Sequence, residues 1–239
     1  MTVPESPELV DGSAPGLVLT CEHASQALPN GWEWPEPDRW LIGTHWAYDL
    51  GIADVTRQLA AALRAPAVLS TFSRLLIDPN RPVGHPDLFR GSAEGQAVHL
   101  NADLSHEQQL RRRLALYEPY HQAIDRRLSD LPRAAILSMH SFTPVYEGDV
   151  RSLEIGVLFN EHEALAVSVA RALAADGWTV ALNEPYSGRE GLMYAADRHA
   201  AVHRRAALEL EVRNDLACDP ARRTALVRSV AAAMARIAS

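Results

Sequence analysis

The chain has 239 residues, 47% of them hydrophobic, and no lysine; 30 acidic side chains against 23 arginines give a formal net charge of −7. That length can bury the core of one sizeable α/β domain or two small ones, and the negative balance argues against nucleic acid or an anionic membrane as the main partner. Two cysteines far apart, Cys21 and Cys218, make neither a disulfide framework nor a thiolate zinc site, so a reducing cytoplasm is expected.

Residues 1–14 are polar and rich in Pro, Ser and Glu. They lack the basic and apolar regions of a signal peptide and read as a disordered or extended tail ahead of one domain, 15–239. No apolar run approaches the roughly 18 residues of a membrane span, so a soluble cytoplasmic protein is expected. The first strand is Gly16-Leu17-Val18-Leu19-Thr20. A Trp/Pro-rich loop over 28–40 follows, then a helix over about 46–63 with Leu50, Val55, Leu59 and Leu63 at helical spacing. A second strand covers 66–72. Residues 83–103, rich in Gly, Pro, His and Asp, read as a long loop of the kind that is usually functional or disordered. Ser105 and Gln108 form a capping-box pattern that opens a helix running towards 131, with Pro119 as a point of interruption. Strands are then expected at Ala134-Ala135-Ile136-Leu137-Ser138, 153–160, 178–183 and 207–213. A helix from about 161 stops at Gly177, and another closes the chain over about 220–237. The alternation predicts a three-layer α/β/α sandwich on a mixed, largely parallel sheet.

Two segments, Cys21-Glu22-His23-Ala24-Ser25 and Met139-His140-Ser141-Phe142, each follow a predicted strand. In open α/β sheets ligands sit beyond the carboxyl ends of the strands, so His23 and His140 are either strand-end caps or a pair of metal ligands. His45 and Asp49, four apart at the start of the first predicted helix, share one face there. They form either a helix-surface pair or a carboxylate ligand, Asp49, assisted by His45; Glu22 competes for that role. Two imidazoles and a carboxylate with one open position are the usual make-up of a catalytic zinc site. Glu209 and Glu211 share a face of one strand, which is either solvated at an edge or turned to a polar site. There a glutamate that is not a ligand could act as general base on metal-activated water. Arg74, Arg81, Arg151, Arg189 and Arg213 lie in or beside these segments, as surface ion pairs or as groups for carboxylate recognition and oxyanion stabilisation. There is no Gly-x-Ser-x-Gly elbow and no P-loop, and Cys21 reads as the end of its strand rather than a nucleophile.

Seven segments in order resemble the N-formylglutamate amidohydrolase family. They are the Cys21 segment, Thr44-His45-Trp46-Ala47-Tyr48-Asp49-Leu50-Gly51, Ser73-Arg74-Leu75-Leu76-Ile77-Asp78-Pro79-Asn80-Arg81-Pro82, and Met139-His140-Ser141-Phe142-Thr143-Pro144. The others are Glu154-Ile155-Gly156-Val157-Leu158-Phe159-Asn160, Asn183-Glu184-Pro185-Tyr186-Ser187-Gly188 and Leu210-Glu211-Val212-Arg213-Asn214-Asp215. The family is similar to zinc carboxypeptidases and the aspartoacylase/succinylglutamate desuccinylase group. The resemblance implies an α/β/α hydrolase with one Zn2+ per chain, acting on a small N-acyl amino acid, with no nucleic-acid or membrane partner. It implies His23 and His140 as metal ligands and Glu211 as catalytic base. Asp78-Pro79-Asn80-Arg81 is similar to the Asp-Leu-Asn-Arg segment of the desuccinylase group, which implies substrate contacts from Asn80 and Arg81. Arg74, Arg151 and Tyr186 join them as candidates, and Arg81 is the first candidate for the oxyanion. The chain departs from its carboxypeptidase relatives where they have His-x-x-Glu: His23 is followed by Ala24-Ser25-Gln26. Asp49 is therefore taken as the third ligand over Glu22. Two other readings stand beside this one, another deacylase or small-peptide hydrolase on the same scaffold, and a binding protein without turnover.

Overall fold

The computed structural model of the chain describes residues 7–146 and 148–235. The chain opens with β1 (Glu8–Val10) and β2 (Leu17–Cys21), the second buried at every residue. A strand covered on both faces has no polar alternation, which is why its sequence reads as one apolar run. Residues 8–10, assigned to the tail by sequence, pair antiparallel with β3 (Ala67–Leu69) at the sheet edge. Between β2 and β3 lies α1 (Ile52–Leu63), six residues shorter than expected at its start. Gly51 precedes it with φ 75°, and a Cβ there would lie 2.6 Å from the Ala217 backbone. Residues 46–50 therefore form turns, and His45 and Asp49 do not share a helix face.

The expected loop over 83–103 is built of short 3-10 turns and a small hairpin, β4 (Ser92–Ala93) with β5 (Gln96–Ala97). The buried Asp38 carboxylate pins it, accepting from the backbone N–H of His99 (2.9 Å) and Leu100 (2.6 Å). α2 (His106–Arg112) begins with the predicted Ser105–Gln108 capping box. It passes through a π-helical turn, Arg113–Tyr117, into α3 (Glu118–Asp130). Pro119 cannot donate a backbone hydrogen bond, and the π turn just before it absorbs that loss, so the helix continues.

β6 (Ala135–Phe142) runs four residues beyond its predicted end, which places His140 within the strand rather than after it. A hairpin of β7 (Val145–Tyr146) and β8 (Asp149–Val150) leads to β9 (Ile155–Leu158). α4 (Glu163–Ala175) ends ahead of Gly177, whose φ is 94°. Next come β10 (Val180–Leu182), α5 (Tyr194–His203), β11 (Ala207–Arg213), α6 (Asn214–Cys218) and α7 (Pro220–Ala235). The predicted end of the last helix near residue 237 lies outside the described residues. Sequence periodicity did not disclose α5, because its buried residues are Ala195, Ala196, His199 and Ala200 rather than large apolar side chains.

The seven long strands form one sheet in the order β1-β3-β2-β6-β11-β9-β10. β3, β2, β6 and β11 are parallel to one another, and β9 joins antiparallel to β11. One face packs Leu19, Met139 and Leu210 against Ile52, Val169 and Val230 of α1, α4 and α7. The other packs Val18 and Ile136 against Tyr120, Ile124 and Ala196 of α3 and α5. The three-layer mixed sandwich read from the sequence is the observed fold. β11 is central, so Glu209 and Glu211 do not lie on a solvated edge.

Gly156 in β9 is the close-approach point of this frame. A Cβ there would overlap the Glu184 carbonyl oxygen, the backbone that carries Tyr186. Gly156→Ala is expected to force that segment off the sheet at about 1–3 kcal/mol, the usual range for overpacking. Chemical denaturation checks this; an unchanged midpoint would show that the segment yields freely.

Candidate active site

The parallel strands all deliver their carboxyl ends to one edge. His23 lies two residues past β2, Arg74 and Asp78 follow β3, His140 is near the end of β6, and Glu211 stands opposite His140 in register on β11. Alternation along the strands then selects the face. Ser138, His140, Glu209 and Glu211 fall on the α3/α5 side, while Cys21, Met139 and Leu210 point into the opposite core. Cys21 is fully buried there, and burial pushes its thiol well above the ordinary range, so it offers no nucleophile to this edge.

The two imidazoles meet edge to face with ring centroids 4.7 Å apart. Asp49 lies between their near nitrogens: Oδ2 is 2.9 Å from His140 Nδ1, and Oδ1 is 3.5 Å from His23 Nδ1. The Ser141 backbone N–H (3.0 Å) and Arg74 (3.4 Å) also donate to this carboxylate. Each far nitrogen meets a different buried carboxylate. His23 Nε2 is 2.7 Å from Asp78, and His140 Nε2 is 3.0 Å from Glu22 and 3.5 Å from Glu209. Asp78 also accepts from Arg74 at 2.8 Å, and Glu22 from Tyr120 (3.0 Å) and Ser138 (2.6 Å).

These contacts split the carboxylates into two groups. Burial opposes ionisation of Glu22, but the hydrogen bond and charge of His140 outweigh it and hold its pKa at about 2. Asp49 is likewise held well below the ordinary range, burial being overcome by His23 and His140; for Asp78 the opposing charges are Arg74 and His23. Glu209 and Glu211 go the other way. Burial raises both, assisted by Asp49 and opposed by His140, Glu209 reaching about 7 and Glu211 lying well above its ordinary value.

The cluster floors a cleft of about 270 Å³ whose lining includes His23, Asp49, His140, Glu211, Arg74, Asn80, Arg81 and Tyr186. Arg74 is committed to Asp78 and Asp49. Arg81 donates to the Asn80 carbonyl oxygen at 3.0 Å and has no ion-pair partner among the described residues. Asn80 lines the cleft, yet its carboxamide accepts from Ala195 N–H (2.9 Å) and donates to the Leu192 carbonyl (3.2 Å), docking the start of α5. Arg151 stands behind the lining, its guanidinium over Phe142, Tyr146 and Tyr186 at 5.5, 4.8 and 5.8 Å. Arg189 pairs with Glu163 and Arg213 with Asp215, both outside the cleft. His45 also lines it, stacked on Trp46 with its Nε2 buried and without a hydrogen bond. The sequence reading passed over Trp46, Arg90, Phe142 and Tyr146 as lining residues, and Asp78, Tyr120 and Ser138 as imidazole or carboxylate partners. Asp78 had a signal in the Asp-Pro-Asn-Arg segment; Tyr120 sits in an ordinary helix and had none.

The donor set fits a metal. His23, Asp49 and His140 each present one ligand atom, all within 4.8 Å of one another. His23 Nδ1 is buried without a hydrogen bond, an expensive arrangement for a polar atom unless a cation shares it. Both imidazoles have their other nitrogen on a carboxylate, the arrangement that orients metal-bound histidines and raises their basicity.

The chain is similar to two solved structures over nearly its whole length. A gene product of Agrobacterium tumefaciens superposes with a TM-score of 0.90 at 28% identity, covering 99% of this chain and 97% of that one. An N-formylglutamate amidohydrolase from Ralstonia eutropha superposes at 0.73 and 20% identity, covering 98% of each, and so shares the fold. A search of curated proteins returns no match. Residues 16–218 match the model of N-formylglutamate amidohydrolase, and the chain belongs to that family of hydrolases acting on amide C–N bonds.

Proposed function

We propose that this enzyme cleaves the amide of an N-acyl amino acid of the N-formylglutamate type, with His23, Asp49 and His140 holding a zinc ion and Glu211 as general base. The arrangement of the two imidazoles carries this reading: each far nitrogen is tied to its own buried carboxylate, leaving both Nδ1 atoms directed at Asp49. When bound, zinc supplies acidification of water and polarisation of an amide carbonyl.

The chain's own residues do the rest. Glu211 lines the cleft beside His140 and has one buried carboxylate oxygen without a hydrogen bond. In its carboxylate form, which a cation held by His23, Asp49 and His140 would favour against burial, it takes the proton of the attacking water and returns it to the leaving amine, as a general base and then acid. Arg81, the cleft arginine free of a carboxylate, grips a substrate carboxylate or the developing oxyanion. Arg74 pairs with Asp49 and Asp78, holding both in place and keeping Asp78 ionised. Tyr186, backed by Arg151, forms an aromatic wall that limits the size of the acyl amino acid. Asp49 rather than Glu22 is the third ligand, because Glu22 is spent on His140 Nε2, Tyr120 and Ser138.

Two outcomes are expected. One equivalent of zinc per chain, measured by elemental analysis, is lost in His23→Ala and His140→Ala, and its binding is much weakened in Asp49→Ala. Full occupancy in Asp49→Ala with loss in Glu22→Ala would reverse the ligand assignment. For the chemical step, Glu211→Gln keeps cleft zinc and N-formyl-L-glutamate affinity while turnover falls roughly 10²–10⁴-fold, the usual size of a general-base contribution. Glu209→Gln, on the same strand face but outside the cleft lining, costs much less. Wild-type turnover in Glu211→Gln sinks the mechanism, and zinc and substrate binding without hydrolysis of any N-acyl amino acid tested marks a binding protein.

A further inference from the structure

We propose that Asp125, His199 and His203 form a second transition-metal site that clamps α3 to α5. None of the three lines the cleft. His199 and His203 are four apart on α5 and so present their rings on one side of that helix. Asp125, on α3, faces both: its Oδ1 lies 2.7 Å from His199 Nδ1 and 2.9 Å from His203 Nε2. The three ligand atoms all fall within 4.8 Å of one another. Zinc bonds of about 2.0–2.2 Å place ligand atoms of one tetrahedron roughly 3–3.5 Å apart, so a slight spreading of this triad admits an ion.

The surroundings match such a site. His199 is fully buried, and its other nitrogen, Nε2, lies 2.9 Å from His121 Nδ1, which fixes the plane of the ligand ring. Asp125 and His203 keep side-chain exposures of 34% and 15%, so an ion has a way in and a solvent position open to it. Two imidazoles and one carboxylate suit borderline cations such as Zn2+ or Co2+ and not Mg2+ or Ca2+, which take mainly oxygen ligands. Arg198 is the opposing group, with its guanidinium 3.9 Å from Asp125 Oδ2 and 3.1 Å from His199 Nε2. Its side chain is about one-third exposed and can turn to solvent as the cation enters. Without a metal the triad is a helix–helix hydrogen-bond pair, Asp125 joining His199 and His203.

The test titrates chelator-stripped full-length protein with Co2+, following visible absorption and bound metal by equilibrium dialysis. His23→Ala removes the cleft site and is expected to retain one equivalent of Co2+, with a raised thermal midpoint. Adding His203→Gln or Asp125→Asn removes both the equivalent and the shift. His203 ends α5 and is partly exposed, so the single His203→Gln variant is expected to keep the wild-type circular dichroism and amidase activity; Asp125→Asn gives the same metal reading through a different helix. No Co2+ bound by His23→Ala, or binding that survives both second variants, overturns the site. A wild type that binds a single equivalent insensitive to His23→Ala but lost in His203→Gln supports it while removing the metal from the cleft.

Discussion

The arrangement at the sheet edge depends on one buried carboxylate. Asp49 is only 5% exposed, and an ionised group so placed costs several kcal/mol unless its oxygens are taken up. Its partners come from separate stretches of chain: His140 and the Ser141 backbone N–H from β6, Arg74 from the segment after β3, and His23 from beyond β2. Its own backbone N–H donates to the His23 carbonyl oxygen at 3.0 Å. Satisfying Asp49 thus brings the ends of three strands together, and the cleft is a consequence of that requirement.

Around this point the charges are layered. Glu22 and Asp78 sit behind the imidazoles and are held ionised, Glu22 by His140 and Asp78 by Arg74 and His23, so they are committed to fixing ring orientation. Glu211, with a carboxylate oxygen lacking a hydrogen bond, is the acidic side chain in the cleft lining that is free to exchange a proton. The cations divide in the same way. Arg74 neutralises the floor and Arg151 backs the aromatic wall, while Arg81 has no ion-pair partner among the described residues. A structural and a chemical carboxylate can stand within one cluster because their hydrogen-bond partners differ.

The walls are held by hydrogen bonds from polar side chains. Asn101 donates at 2.8 Å to the carbonyl oxygens of both Leu75 and Arg90, and Arg112 donates to those of Leu76 and Leu100. Together with Asp38 these bonds turn a Gly- and Pro-rich stretch into a fixed rim that carries Arg90 to the cleft. Asn80 does the same for α5. The long segment that looked like a free loop is therefore part of the scaffold, which is what preorganised catalysis requires.

The sequence by itself determined the layers, the strand that leads to each histidine, the strand that carries Glu211, and the family. Fully buried strands and amphipathic helices leave periodic apolar signals, and residues such as Glu211 stand out against them. It also brought His23, Asp49 and His140 forward as one set, because each lies at a strand end or in the segment leading into the next helix. The rest was decided by tertiary structure. Whether Asp49 or Glu22 faces the near imidazole nitrogens depends on the packing of Tyr120 from α3 and on the turn before Gly51, neither of which has a local signature. That Glu209 and Glu211 are buried follows from β11 lying between β6 and β9, a matter of strand order. The Asp125–His199–His203 triad joins two helices distant in sequence, one of them buried through alanines, and only their docking brings those donors together.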